Sequence, residues 1–164
     1  MKKLSIIILI FLCIASFGEN LRGRVFWVKD GDTVVLNLRD GRWFTVRLYG
    51  IDAPESEQEY GREATLALIG LIGRRNVTVE VVSTDRYNRK VGRIIYRKQN
   101  INLEMIKSGA AWHYAAYAPD NEQFALAQKA AREARIGLWK SESPVPPWIW
   151  RKQKKQERSA DKKY

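Results

Sequence analysis

The 164-residue chain has a single cysteine and a single histidine, and beyond residue 17 it has no apolar run long enough to cross a bilayer. Cys13 follows Phe11 and Leu12, not the small residues that precede a lipid-modified cysteine, and it lies in an N-terminal apolar segment. Once that segment is removed the chain has no thiol, which excludes disulfides, thiolate metal sites and cysteine nucleophiles. One histidine, His113, is too few for paired-histidine phosphodiester chemistry or a histidine-rich zinc site, so it is read as non-catalytic. There is no glycine-rich P-loop and no G-x-S-x-G element. What remains, at 45% hydrophobic and 29% charged, is the composition of one folded domain with a real core.

The ends of the chain differ from its body. Lys2 and Lys3 precede an apolar run from Leu4 to Phe17, which reads as a signal peptide over residues 1–18, cleaved after Gly18 or after Ala15. The expected location is secreted or periplasmic, and membrane-anchored if the segment is not cleaved. Without these 18 residues the net charge falls from +11 to +9. Residues 151–164 hold seven basic and two acidic side chains, a balance of +5, and read as a basic C-terminal tail, either solvated or attracted to phosphate or to an anionic surface. Within residues 19–150, Asp52, Glu55, Glu57, Glu59 and Glu63 form an acidic cluster. Arg86, Arg89, Lys90, Arg93, Arg97 and Lys98 form a basic stretch, so a polyanion and a cation are both suited partners.

Residue patterning predicts strands over Arg22–Val28, Thr33–Leu38 and Arg42–Tyr49, with Asp40-Gly41 as the hairpin turn between the last two. A helix over Glu59–Leu71 places Tyr60, Ala64, Ala67, Leu68 and Leu71 at helical spacing. A second hairpin follows from Asn76–Val82 and Val91–Tyr96, then a short helix over Ile101–Ser108. A longer helix starts at Asp120, with Gln123 completing a capping-box pattern, and ends at Gly137. Three plus two strands with three helices predict an α+β, mainly β chain built on a five-stranded OB-fold barrel.

Four short segments hold chemistry-bearing residues. Asp30-Gly31-Asp32-Thr33 presents two carboxylates in a turn, and its spacing excludes an EF-hand because Val35 and Gly41 stand where that loop needs glycine and glutamate. In Arg47-Leu48-Tyr49-Gly50-Ile51-Asp52-Ala53-Pro54-Glu55 a strand carrying an arginine runs into a loop with two carboxylates, stiffened by proline. Hard oxygen donors without histidine or cysteine favour calcium or magnesium over zinc. Asp85-Arg86-Tyr87-Asn88-Arg89 sets arginines beside a tyrosine, suited to gripping a phosphate and stacking on a base. Trp112-His113-Tyr114-Ala115-Ala116-Tyr117 lines a groove or packs in the core.

Taken in order, DGDT, RLYGIDAPE, DRYNR and a tyrosine before a proline and an alanine-rich helix resemble the staphylococcal nuclease (thermonuclease) family, from about Leu21 to Trp150. Gly-Leu-Trp at 137–139 and the Pro-Pro-Trp-Ile-Trp-Arg ending resemble its bacterial members. The resemblance implies calcium held by Asp32, Asp52 and the carbonyl of Ala53, and Glu55 as general base. It implies Arg47 and Arg89 as the arginines on the scissile phosphate, with Arg86, Tyr87 and Tyr117 contacting the nucleotide. It further implies a monomeric exported endonuclease that cuts DNA and RNA by water attack, prefers single strands and leaves 3′-phosphate and 5′-hydroxyl ends. The competing reading is a non-catalytic OB-fold module that binds single strands. Ala53 and Asn88 depart from the best-known member, which has threonine and glycine there, and Ala115 falls near a position that is aromatic in it.

Overall fold

The computed structural model describes residues 19–161, so the segment read as a signal peptide lies outside it. The strands are β1 (Asn20–Asp30), β2 (Thr33–Leu38), β3 (Trp43–Leu48), β4 (Ile51–Asp52), β5 (Asn76–Thr84), β6 (Lys90–Tyr96), β7 (Gln99–Asn100) and β8 (Trp112–His113). The helices are α1 (Gly61–Ile72), α2 (Ile101–Lys107), α3 (Glu122–Glu133) and α4 (Pro147–Asp161), with a 3-10 turn over Gly137–Lys140.

Five strands run in the order β3-β2-β1-β5-β6, and a parallel pairing of β3 with β6 closes them into a barrel. The expected mainly β, OB-like barrel is therefore present. Val25, Val34, Leu36, Val46, Leu48, Val79 and Ile94 alternate with exposed or half-buried neighbours and fill its interior. Ala64, Leu68 and Ile72 recur every fourth residue on α1 and pack into the same core, joined by Ile101, Met105 and Ile106 of α2. Buried Asn102 stitches the barrel end to the next loop. Its side-chain oxygen accepts from the Ile94 N–H, and its amide donates to the carbonyls of Tyr49 and Gly92 at 2.8 and 3.2 Å.

Two expectations need correction. Among the described residues there are four α-helices instead of three, because residues 151–161 of the run read as a basic tail are helical and α4 crosses the boundary placed at 150. Pro147 opens that helix at the position where a missing N–H costs nothing, and the Lys, Arg, Gln and Glu residues after it are good helix formers. The other correction concerns α3, which is capped by Asn121 and not Asp120. The Asn121 side chain accepts from the Phe124 N–H, three residues on.

A second, smaller core of Trp112, Ala131, Leu138 and Trp139 lies beside the barrel. Trp148 of α4 packs against it, edge-on to Trp112 and stacked on Tyr114 at 5.1 Å. Burying one such ring contributes about 1.5–3 kcal/mol, enough to hold the first turn of α4 against the barrel end.

Candidate active site

The turn after β1 and the loop after β3 meet at one end of the barrel. Leu48 donates its N–H to the Asp32 carbonyl, and Asp32 in turn accepts the Ala53 N–H on its carboxylate at 2.8 Å and the Thr33 hydroxyl at 3.0 Å. Asp32 and Asp52 are buried. Arg47 reaches back from β3 to form ion pairs with both, through Nη1 to Asp32 and Nη2 to Asp52 at 2.7 Å. Gly61 allows the Glu55 loop to fold against α1, since a Cβ there would lie 1.9 Å from the Glu55 carbonyl oxygen.

The Asp85–Arg89 hairpin turn, leading into β6 beside β3, also lines the site. Asn88 takes the left-handed conformation (φ 59°), which asparagine adopts more readily than other non-glycine residues. Arg89 donates from Nε to Asp85 at 2.7 Å and lies 5.5 Å from the Tyr87 ring, and Arg86 donates to the Tyr87 hydroxyl. Tyr117 is exposed and leans on Tyr114.

One cleft of about 630 Å³ brings together Asp32, Arg47, Glu55, Arg86, Tyr87, Arg89 and Tyr117. Asp52 and Ala53 lie buried beneath it, and Ala53 contacts Asp32 through its N–H. His113 is buried, bonded through Nε2 to the Ala118 carbonyl and edge-on to Phe124, in keeping with a packing role.

Two cleft residues were not singled out from the sequence as site residues. Asp30 lines it, and burial together with the neighbouring Asp32 carboxylate pushes its carboxyl up to about 7. Arg151 of α4 spans the loop after β3. Its Nη1 donates to Glu55 at 2.7 Å and to Asp52 at 3.2 Å, and its Nη2 donates to the other Asp52 oxygen at 2.8 Å. Burial opposes the Arg151 charge, but the hydrogen bonds to Asp52 and Glu55 outweigh it and raise its pKa. Burial also raises the Asp52 carboxyl, and the bonds from Arg151 and the charge of Arg47 offset that only in part. The sequence signal for Arg151 was Trp148 three residues before it, which places both side chains on one helix face.

Gln58 ties these pieces together. Its side-chain oxygen accepts the Glu55 N–H, and its amide donates to the Val145 carbonyl just before α4. Among the described residues no three carboxylates form a ready cation cage, and the oxygens of Asp32 and Asp52 are engaged by guanidinium groups. As donors they nonetheless fit a hard divalent ion: they are carboxylate oxygens, two of them on buried side chains, with positive charge already drawn to them.

The model of the family described as staphylococcal nuclease homologue matches residues 45–141. A Haemophilus influenzae protein named "Uncharacterized endonuclease" is 38% identical over 153 residues, covering 93% of this chain and 85% of that one. A protein of the same name from Escherichia coli O157:H7 is 38% identical over 94% of this chain and all of its own length. The Arabidopsis thaliana "Staphylococcal-like nuclease CAN1" is 42% identical over 68% of this chain, which spans 34% of that longer protein.

Proposed function

Because the chain belongs to the staphylococcal nuclease homologue family, we propose that it is an endonuclease that hydrolyses phosphodiester bonds of DNA and RNA in the cleft at the barrel end. The observation that carries this reading is one cleft holding a half-buried carboxylate, Glu55, together with two arginines, Arg47 of β3 and Arg89 just before the neighbouring β6. A binding module needs the cations and not the carboxylates.

A phosphodiester repels hydroxide, so hydrolysis requires that its charge be neutralised as the five-coordinate state forms. Arg47 and Arg89 would hydrogen-bond the phosphoryl oxygens, and their planar forks suit that geometry. Arg89 must first release Asp85, an exchange of one anion for another. Glu55 is half-buried at the cleft and would take the proton of the attacking water. Asp32, Asp52 and the Ala53 carbonyl would hold calcium, which when bound lends positive charge to a phosphoryl oxygen. Arg151 and Arg47 both hold the Asp52 oxygens that the ion would use, so a bound ion would compete with both, and Arg151, on the docked helix, would be the one free to withdraw. Arg86, Tyr87 and Tyr117 would meet the nucleotide, with Tyr87 and Tyr117 exposed for stacking on unpaired bases. Because water and not a 2′-hydroxyl would attack, both sugars would be accepted; ends of 3′-phosphate and 5′-hydroxyl are what the family resemblance implies. Lys2 and Lys3 before the apolar run support export, which the mass of the mature N-terminus checks.

Degradation of heat-denatured DNA with calcium, and its loss in EGTA, tests the reading. Glu55→Gln should lower turnover by about 10²–10⁴-fold without unfolding the protein. DNA binding without cleavage by the folded wild type would replace this reading with a single-strand binding module.

A further inference from the structure

The outer face of β1-β2-β3 carries a feature the hydrolytic cleft does not use. Phe26, Trp27 and Trp43 are 65%, 62% and 52% exposed, although rings of this size normally bury themselves. Phe26 and Trp43 meet edge to face at 4.9 Å. With Arg24, Val25, Asn37 and Arg74 they line a hollow of about 450 Å³, and no acidic residue is among its lining. Arg24 is held there by a bond from its Nε to the Arg74 carbonyl, and Arg22 lies exposed two residues before it on the same face of β1.

A break in the β1–β2 register between Val25 and Trp27 explains why two consecutive aromatics are both exposed. Register also connects this hollow to the cleft. On β3, Trp43, Thr45 and Arg47 point outward in turn, and on β2 they pair with Asn37, Val35 and Thr33. Trp27 pairs with Val35 and Arg24 with Asn37, so the outer side of β1-β2-β3 leads from the aromatic hollow toward the cleft, where Thr33 is buried beside Arg47. Four residues of strand separate Arg47 from Trp43, about 13 Å.

We propose that this face is a second nucleic-acid contact, on which bases of a single strand stack against Phe26, Trp27 and Trp43 while Arg24 and Arg74 hold its phosphates, a few nucleotides from the bond cut at Arg47. The charge selects the occupant. Exposed rings flanked only by arginines complement a polyanion with planar bases, whereas a second copy of this chain would bring like charge against them. The identity of the strand as substrate rests on the nuclease reading, but stacking itself does not.

The test uses the full chain and two variants, Trp27→Ala/Trp43→Ala and Arg24→Glu/Arg74→Glu, all altered at exposed positions. Affinity for a labelled oligothymidylate of twelve nucleotides is read by fluorescence anisotropy in EDTA, where no cutting occurs, alongside kcat/KM on that oligonucleotide and on a dinucleotide with calcium. Each variant should bind the long strand about five-fold or more weakly. Each should also lose kcat/KM on the long strand with little change on the dinucleotide. Unchanged binding of the long strand by both folded variants overturns the proposal. So does a self-association of the wild type, seen by sedimentation, that the ring variant abolishes while strand binding persists. If no substrate is cut by any form, the nuclease reading fails and the anisotropy alone decides this one.

Discussion

Asp52 is met by two arginines that arrive by different routes. Arg47 comes from β3, a strand bonded on one side to β2 and on the other to β6, and its side chain is only 16% exposed. Arg151 comes from α4, a helix held against the barrel through Trp148 and the Val145 carbonyl, and its side chain is 41% exposed. The chemistry of the two contacts is the same, yet their mechanical standing differs. A guanidinium on a closed barrel is a fixed part of the site, whereas one on a docked terminal helix can be withdrawn without opening the core.

The comparison breaks first at Arg47. Arg47→Ala leaves buried Asp32 and Asp52 facing each other with their shared partner gone, which should destabilise the fold by about 3–5 kcal/mol in denaturant titrations and abolish cleavage. A loss no larger than that of an exposed pair would remove the distinction between the two arginines. Trp148→Ala should cost about 1.5–3 kcal/mol, detach the first turn of α4 and release Arg151 from the carboxylates while the barrel persists. Amide exchange would show this as protection lost in α4 and kept in β1–β3.

Arg151→Ala should cost about 1–3 kcal/mol, less than Arg47→Ala, because it strips two bonds from buried Asp52 while Arg47 stays paired to it. Its expected signature is tighter calcium binding by calorimetry, since one of the two guanidinium groups on Asp52 is gone and only Arg47 remains; unchanged or weaker binding would mean that Arg151 shapes the cation site instead of competing for it. The smallest effect should come from deleting residues 152–164 while keeping Arg151. The salt dependence of DNA affinity should flatten, and an unchanged slope would leave that basic run idle.

Much of the barrel end was legible because its information is local. Asp30-Gly31-Asp32 is a turn by its own chemistry, and Arg47 and Asp52 are five residues apart, so a strand followed by a bend brings them together. Asn88 stands where glycine is usual and tolerates the left-handed turn it adopts, and the Asp85-Arg89 pair lies within that turn. Arg151 was hidden for the opposite reason. It is 99 residues from Asp52, and it begins a run of charge whose average character is that of a solvated end. The aromatic hollow was likewise invisible, because Phe26 and Trp43 become neighbours only through the pairing of β1 and β3 with β2.

The amino-acid order by itself determined the alternation that makes the strands, the turns that join them, the family and the oxygen-rich, thiol-free chemistry of the site, since each depends on residues within a few positions of one another. Tertiary structure alone decided which cation sits on Asp52 and which rings share the outer face. Those contacts depend on how the barrel closes and where the last helix docks, and burial energy summed over the whole chain sets both.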